Sequence, residues 1–88
     1  MVRKTVEITN PMGLHLRPAG KLCEAAVRYQ CKITLEYSRE GTRAEANAKS
    51  VLGILAPCIG QGEKITICCD GPDEREAIEG LTQVLAAL

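Results

Sequence analysis

Residues 2–29, VRKTVEITNPMGLHLRPAGKLCEAAVRY, change their apolar period part-way along. In VRKTVEI (2–8) apolar and polar residues alternate and the apolar ones are β-branched, the pattern of a strand with one covered face. NPMG (10–13) then punctuates the chain, because Asn-Pro and glycine both favour turns. From Leu16 to about Tyr29 the spacing becomes helical. Leu16, Ala19, Leu22, Cys23, Ala26 and Val27 recur every three or four residues and predict one apolar stripe. Pro18 falls in the first turn, where its missing N–H costs nothing, so His15 lands at or beside the N-cap.

The same two periods organise the rest of the chain. CKITLEY (31–37) predicts a second strand, SREG (38–41) a hairpin loop, and TRAEANA (42–48) a short, weak strand. Ser50–Leu55 predicts a short helix ended near Pro57. After the turn GQG (60–62), EKITICC (63–69) alternates again. DGPDE then starts a last helix, Asp73 to Leu88, with acids in its first turn and an apolar stripe of Ala77, Ile78, Leu81, Val84, Leu85 and Leu88. The order is β-α-β-β-α-β-α, and residues 1–88 are expected to form one domain. Alternating strands need one face covered, and the amphipathic helices can cover it. The expectation is an α+β, two-layer fold: a four-stranded antiparallel sheet with three helices on one face.

Bulk properties exclude several functions. The chain carries 11 basic and 11 acidic side chains, so no charge excess marks a nucleic-acid or membrane-surface binder. It lacks tryptophan and phenylalanine, leaving only Tyr29 and Tyr37 to stack on bases. No segment has the apolar run of a signal peptide or membrane span, so a cytoplasmic monomer without membrane insertion is expected. Cys23, Cys31, Cys58, Cys68 and Cys69 show no CxxC spacing and read as buried, reduced thiols rather than a disulfide or metal framework. Adjacent Cys68 and Cys69 should point to opposite sheet faces, which disfavours one joint thiol site.

His15 is the only histidine. A helix start offers unpaired backbone N–H groups and partial positive charge. Here those donors include Leu16 and Arg17, and an anion attached to the imidazole would meet them directly. The Arg17 guanidinium adds a fork matched to phosphate oxygens. Gly13 permits a close chain approach, and Pro18 stiffens the turn. No GxxxxGK[ST] loop is present to hold a nucleotide. A nucleophile and an anion cradle without a nucleotide site fit a protein that accepts a phosphoryl group from one protein and passes it on. The alternative is a histidine that merely begins a helix.

NPMGLHLRPAG strongly resembles the active-site segment of the histidine-containing phosphocarrier family of the bacterial phosphoenolpyruvate-dependent phosphotransferase system. The resemblance continues through LEY, NAKSVLGIL, GQGEKITI and DGPDEREAIEGL, nearly the whole chain. It implies an open-faced β-sandwich and no cofactor or metal. It implies a carrier rather than an enzyme, phosphorylated on His15 Nδ1 by Enzyme I and discharging to IIA proteins or domains. Arg17 would steady the phosphate and the transfer partner, and the Leu16 and Arg17 amides would cradle it. Leu16 departs from the family's usual HARPA, and Glu24 and Val27 stand where many members carry basic or small polar residues.

Ser50 precedes the short helix, where serine is an ordinary N-cap worth about 1 kcal/mol. In many family members the matching serine is phosphorylated by an HPr kinase/phosphorylase, and the added charge could obstruct docking without refolding. Val51, Leu52 and Leu55 can form an apolar docking patch near His15, with Gly20 beside it, while Ile54 is expected in the core. His15 and Ser50 are more widely separated than the resemblance leads one to expect, which places extra residues in SREGTRAEA (38–46) and predicts a longer or bulged hairpin. Two other functions share these features: a carrier of a regulatory, nitrogen-related branch, and a regulatory binding module read through Ser50.

Overall fold

The structure, a computed structural model, describes Met1–Leu88. Strand β1 (Val2–Glu7) enters helix α1 (Leu16–Ala26) through the loop that carries His15. Then come β2 (Lys32–Arg39), β3 (Thr42–Asn47), α2 (Val51–Leu55), β4 (Lys64–Asp70) and α3 (Glu74–Ala86). The sheet runs β1-β4-β2-β3, and every neighbouring pair is antiparallel. The expected α+β open-faced architecture and element order are therefore present.

Alternation produces the two layers. Ile33 and Leu35 of β2 and Ile65, Ile67 and Cys69 of β4 project to one face. There they meet Ala19, Leu22 and Ala26 of α1, Ile54 of α2, and Ala77, Leu81 and Leu85 of α3 in a single buried cluster. Burying each large aliphatic side chain stabilises the fold by about 1.5–3 kcal/mol before entropy is counted. The other face carries Thr5 bonded to Thr66 (2.9 Å) and Glu36 paired with Arg3 and Arg43. Cys68 sits on that open face, in register with Arg3 and Thr34, and is nevertheless buried. Burial pushes its thiol up, with the Glu36 carboxylate adding to the effect.

Several element limits differ from the sequence expectations. Ser38 and Arg39 belong to β2, and the hairpin turns on Glu40 and Gly41 alone. Both have positive φ, 52° and 78°, the two-residue turn whose twist matches antiparallel strands. Register is unbroken from Thr34↔Asn47 to Arg39↔Thr42, so the hairpin carries no bulge. Helix α1 ends at Ala26 instead of near Tyr29. Arg28 and Tyr29 donate to carbonyls only three residues back, and Lys49 Nζ takes the Tyr29 carbonyl (2.6 Å), turning the chain toward β2. Leu16 is 67% exposed rather than part of the buried stripe. As the first helical residue it projects past the helix end, because Cβ atoms tilt toward the N-terminus. Val27, at the C-cap, is exposed as well.

Asp73, the residue preceding α3, does not cap that helix with its side chain. Its carboxylate accepts the Gln30 and Cys31 amides (2.8 and 2.9 Å), and these bonds hold it below the usual carboxylate range. Gly60 and Gly71 amides similarly lower Glu63 and Glu74. Depressed folded values contribute stability above the unfolded values, about pH 4, and that stability disappears as pH falls through the folded ones. The melting temperature should therefore be level from pH 7 to about 5 and decline steeply below about 4. Asp73→Asn should lower it at neutral pH and flatten the decline, as circular dichroism melts across this range would show.

Candidate functional site

His15 is the N-cap of α1, with extended backbone (φ −79°, ψ −172°), and its carbonyl already accepts the Ala19 amide (2.9 Å). Its side chain makes no capping hydrogen bond. The imidazole is thus placed by the helix start without being consumed by it. The amides of Leu16 and Arg17 have no acceptor in the protein. Pro18, buried at the third helical position, has no N–H at all. Arg17 is exposed and forms no ion pair. Two free backbone donors and the helix's positive end therefore adjoin a half-exposed imidazole, and the unpaired guanidinium belongs to the second residue after it.

The loop preceding His15 is anchored from below. Gly13 (φ 65°) lies so close to the 59–60 backbone that a Cβ there would stand 2.3 Å from the Ile59 carbonyl oxygen. That oxygen accepts the Leu14 amide (2.9 Å), and Leu14 is buried. Met12, Leu14, His15, Leu55, Cys58, Ile59 and Gly60 line one shallow depression. The expectation of a tight approach at Gly13 is met. Met12 is three residues before His15 in the chain, whereas Cys58 is brought beside it only by the fold.

Ser50 caps α2, its hydroxyl accepting the Gly53 amide (3.1 Å). Within that helix Ile54 is buried, Leu52 is 79% exposed, and Val51 and Leu55 are half-buried. Leu55 reaches the His15 depression, so α2 adjoins the site through that residue. Gly20 is half-buried, with open space where a Cβ would stand. Glu24 is exposed and pairs with Arg28 (3.3 Å) one turn on.

The cysteines are dispersed, with one exception that sequence spacing did not reveal. Cys31, just before β2, and Cys69 of β4 are both buried and adjacent, and Cys31 also meets Asp73. Burial raises Cys69 to about 12, with Cys31 contributing, and burial raises Cys31 too. Thiols kept protonated in a core behave as small hydrophobes.

Residues 2–87 match the family model described as "PTS HPr component phosphorylation site". The chain belongs to the HPr family. HPr proteins are phosphocarriers of the phosphotransferase system and work with its enzymes, without being enzymes themselves. The chain is 38% identical over 84 residues to "Phosphocarrier protein HPr" of Treponema pallidum, covering 96% of this chain and 91% of that protein. It is 40% identical over 81 residues to "HPr-like protein Crh" of Halalkalibacterium halodurans, covering 92% of each. Among solved structures, a histidine-containing phosphocarrier protein described for Mycoplasma superposes with a TM-score of 0.90 at 31% identity, covering 98% of this chain and 93% of that one. The HPr fold thus accounts for the four-stranded open sheet and the three helices laid on one side of it. No helix is long and apolar enough to cross a membrane.

Proposed function

We propose that this HPr protein is a single cytoplasmic domain carrying a phosphoryl group on His15 from Enzyme I to IIA components of a sugar phosphotransferase system. The observation that carries this reading is the pairing of an uncommitted imidazole at the α1 N-cap with the partner-free Leu16 and Arg17 amides. Neutral imidazole attacks phosphorus through a ring lone pair, on Nδ1 as the resemblance implies. A P–N bond forms as the donor's bond to phosphorus breaks, while the other ring nitrogen keeps its proton. The transferred oxygens carry the negative charge that the two amides and the helix end stabilise. Arg17 supplies a mobile charge-assisted fork, suited to oxygens passing between two proteins. Because the group is exposed, a IIA nucleophile can reach the phosphorus from the opposite side and take it onward.

Docking falls to the apolar surface beside the site: exposed Leu52 with half-buried Leu55 and Val51 of α2, and exposed Leu16 with half-buried Gly20 of α1. Incubation with phosphoenolpyruvate and an Enzyme I active on another carrier tests the proposal. An acid-labile phosphate located on His15 by fragmentation supports it, and no transfer to the chain refutes it. Purified IIA proteins of the sugar and nitrogen-related branches then discriminate the recipient.

A regulatory reading is favoured by one observation, the similarity to an HPr-like Crh protein at 40% identity. Under it, an HPr kinase/phosphorylase modifies Ser50, adding almost two negative charges next to Leu52. Ser50→Asp should slow phosphoryl acceptance from Enzyme I by about tenfold without unfolding the protein. Ser50→Ala should leave the rate unchanged and cost about 1 kcal/mol of stability through the lost cap. Initial rates and urea unfolding of both variants measure this, and equal rates for the two would remove the charge argument.

A further inference from the structure

The β2–β3 hairpin ends β2 on Arg39, whose guanidinium does not face solvent freely. Its Nε donates to the Pro57 carbonyl (3.1 Å), its Nη2 donates to the same oxygen, and its Nη1 donates to Glu63 Oε1. Glu63 Oε2 in turn accepts the Gly60 amide. One guanidinium and one carboxylate therefore pin the α2–β4 loop at Pro57, Gly60 and Glu63. Glu63 is also fixed to the His15 side of the molecule, since its carbonyl accepts the Ile8 amide (2.8 Å). Between the pinned points Cys58 holds a positive φ of 54°, a conformation that a residue with a Cβ does not favour by itself. The Cys58 amide donates to the Leu55 carbonyl (3.1 Å), and the Arg39 tie fixes the chain on either side of it.

That loop is the floor under His15. Ile59 supplies the oxygen that takes the Leu14 amide, the Ile59–Gly60 backbone receives Gly13, and Cys58, Ile59 and Gly60 line the His15 depression. Nothing else from the hairpin reaches this loop through a side-chain hydrogen bond.

We propose that Arg39 is a positioning residue for His15, acting through Glu63 and the 57–60 backbone to fix the loop from which the imidazole is presented. The inference rests on His15 as the phosphoryl acceptor. A guanidinium suits this tie because its planar, pre-organised fork holds a carbonyl and a carboxylate in fixed directions, whereas an ammonium is a point charge on a flexible stem and fixes them less well. Arg39 makes no contact with the phosphoryl group and is not a catalytic residue.

Arg39→Ala, Arg39→Lys and Glu63→Gln test the proposal, with Arg43→Ala as a control that removes a positive charge from the same hairpin. All are assayed well below their melting temperatures for phosphoryl transfer from Enzyme I. Arg39→Ala should lower kcat about tenfold with KM changed less than about twofold, since the docking surface is untouched. Arg39→Lys and Glu63→Gln should fall between it and the native protein, and Arg43→Ala should match the native protein. Independently, NMR should show faster hydrogen exchange at the Leu14 and Gly60 amides and displaced imidazole carbon-bound proton resonances of His15 in Arg39→Ala. Unchanged imidazole resonances and Leu14 exchange in that variant overturn the proposal, as does a KM rise with kcat preserved. If the NMR changes appear while the native chain accepts no phosphate, the acceptor reading fails and the positioning by Arg39 stands.

Discussion

Replacing His15 with alanine is expected to abolish phosphoryl acceptance and leave the fold unchanged. The two halves of this result have separate physical causes. The imidazole makes no hydrogen bond to the protein, and the N-cap carbonyl that starts α1 belongs to the backbone. Removing the side chain therefore breaks no structural bond, and stability should move by no more than about 0.5 kcal/mol. Acceptance should fall below detection, because no second imidazole exists in the chain. Intact mass after incubation with phosphoenolpyruvate and Enzyme I would show no added phosphate on His15→Ala, while Ser50→Ala still gains one. A phosphorylated His15→Ala protein, with Ser50→Ala unreactive, would transfer the chemistry to Ser50 and end the carrier reading.

Gly13→Ala should be among the most damaging single-methyl changes available to this protein. The φ of 65° is already unfavourable for alanine, and the new Cβ would stand 2.3 Å from the Ile59 carbonyl oxygen and 2.7 Å from the Gly60 Cα. Both neighbours are backbone, so no rotamer change relieves the contact. The loop must move, and the Leu14–Ile59 hydrogen bond goes with it. Together these effects amount to roughly 2–4 kcal/mol, read as a lower urea midpoint at constant slope. Acceptance by the folded fraction should also slow, because the displaced loop carries His15. Gly20→Ala gives the contrast: it lies inside α1 with nothing near its would-be Cβ, so alanine should stabilise by about 0.5–1 kcal/mol. A Gly13→Ala protein as stable as the native one would show that the loop repacks freely, and would weaken the case for a rigid floor beneath the imidazole.

The elements and their order follow from local period alone. Alternation in VRKTVEI and EKITICC and the spacing of Ala19, Leu22 and Ala26 are properties of neighbouring residues, and they predict strands and a helix whatever the rest of the chain does. His15 at a helix start was equally legible, since Gly13 and Pro18 mark the boundary on either side of it. Ser50 as an N-cap and Ile54 as core were readable for the same reason. Leu16 was misplaced because period cannot distinguish a core position from one projecting beyond a helix end. The hairpin limits were misjudged because SREG has turn composition throughout. Only pairing between β2 and β3 decides that Ser38 and Arg39 belong to a strand.

What the sequence by itself determined is the type and order of the secondary-structure elements, the helix-entrance histidine and the unpartnered donors just after it, all consequences of interactions within a few residues. Tertiary structure decided the rest. It placed Ile59 and Gly60 beneath Gly13, brought Cys31 to Cys69, buried Cys68 under the Arg3–Glu36 pair, and carried Arg39 across to Pro57 and Glu63. Each of these joins residues far apart in the chain, and no local period or propensity encodes such a meeting. They exist because strand pairing across the sheet and the packing of three helices on one of its faces bring distant segments of the chain together.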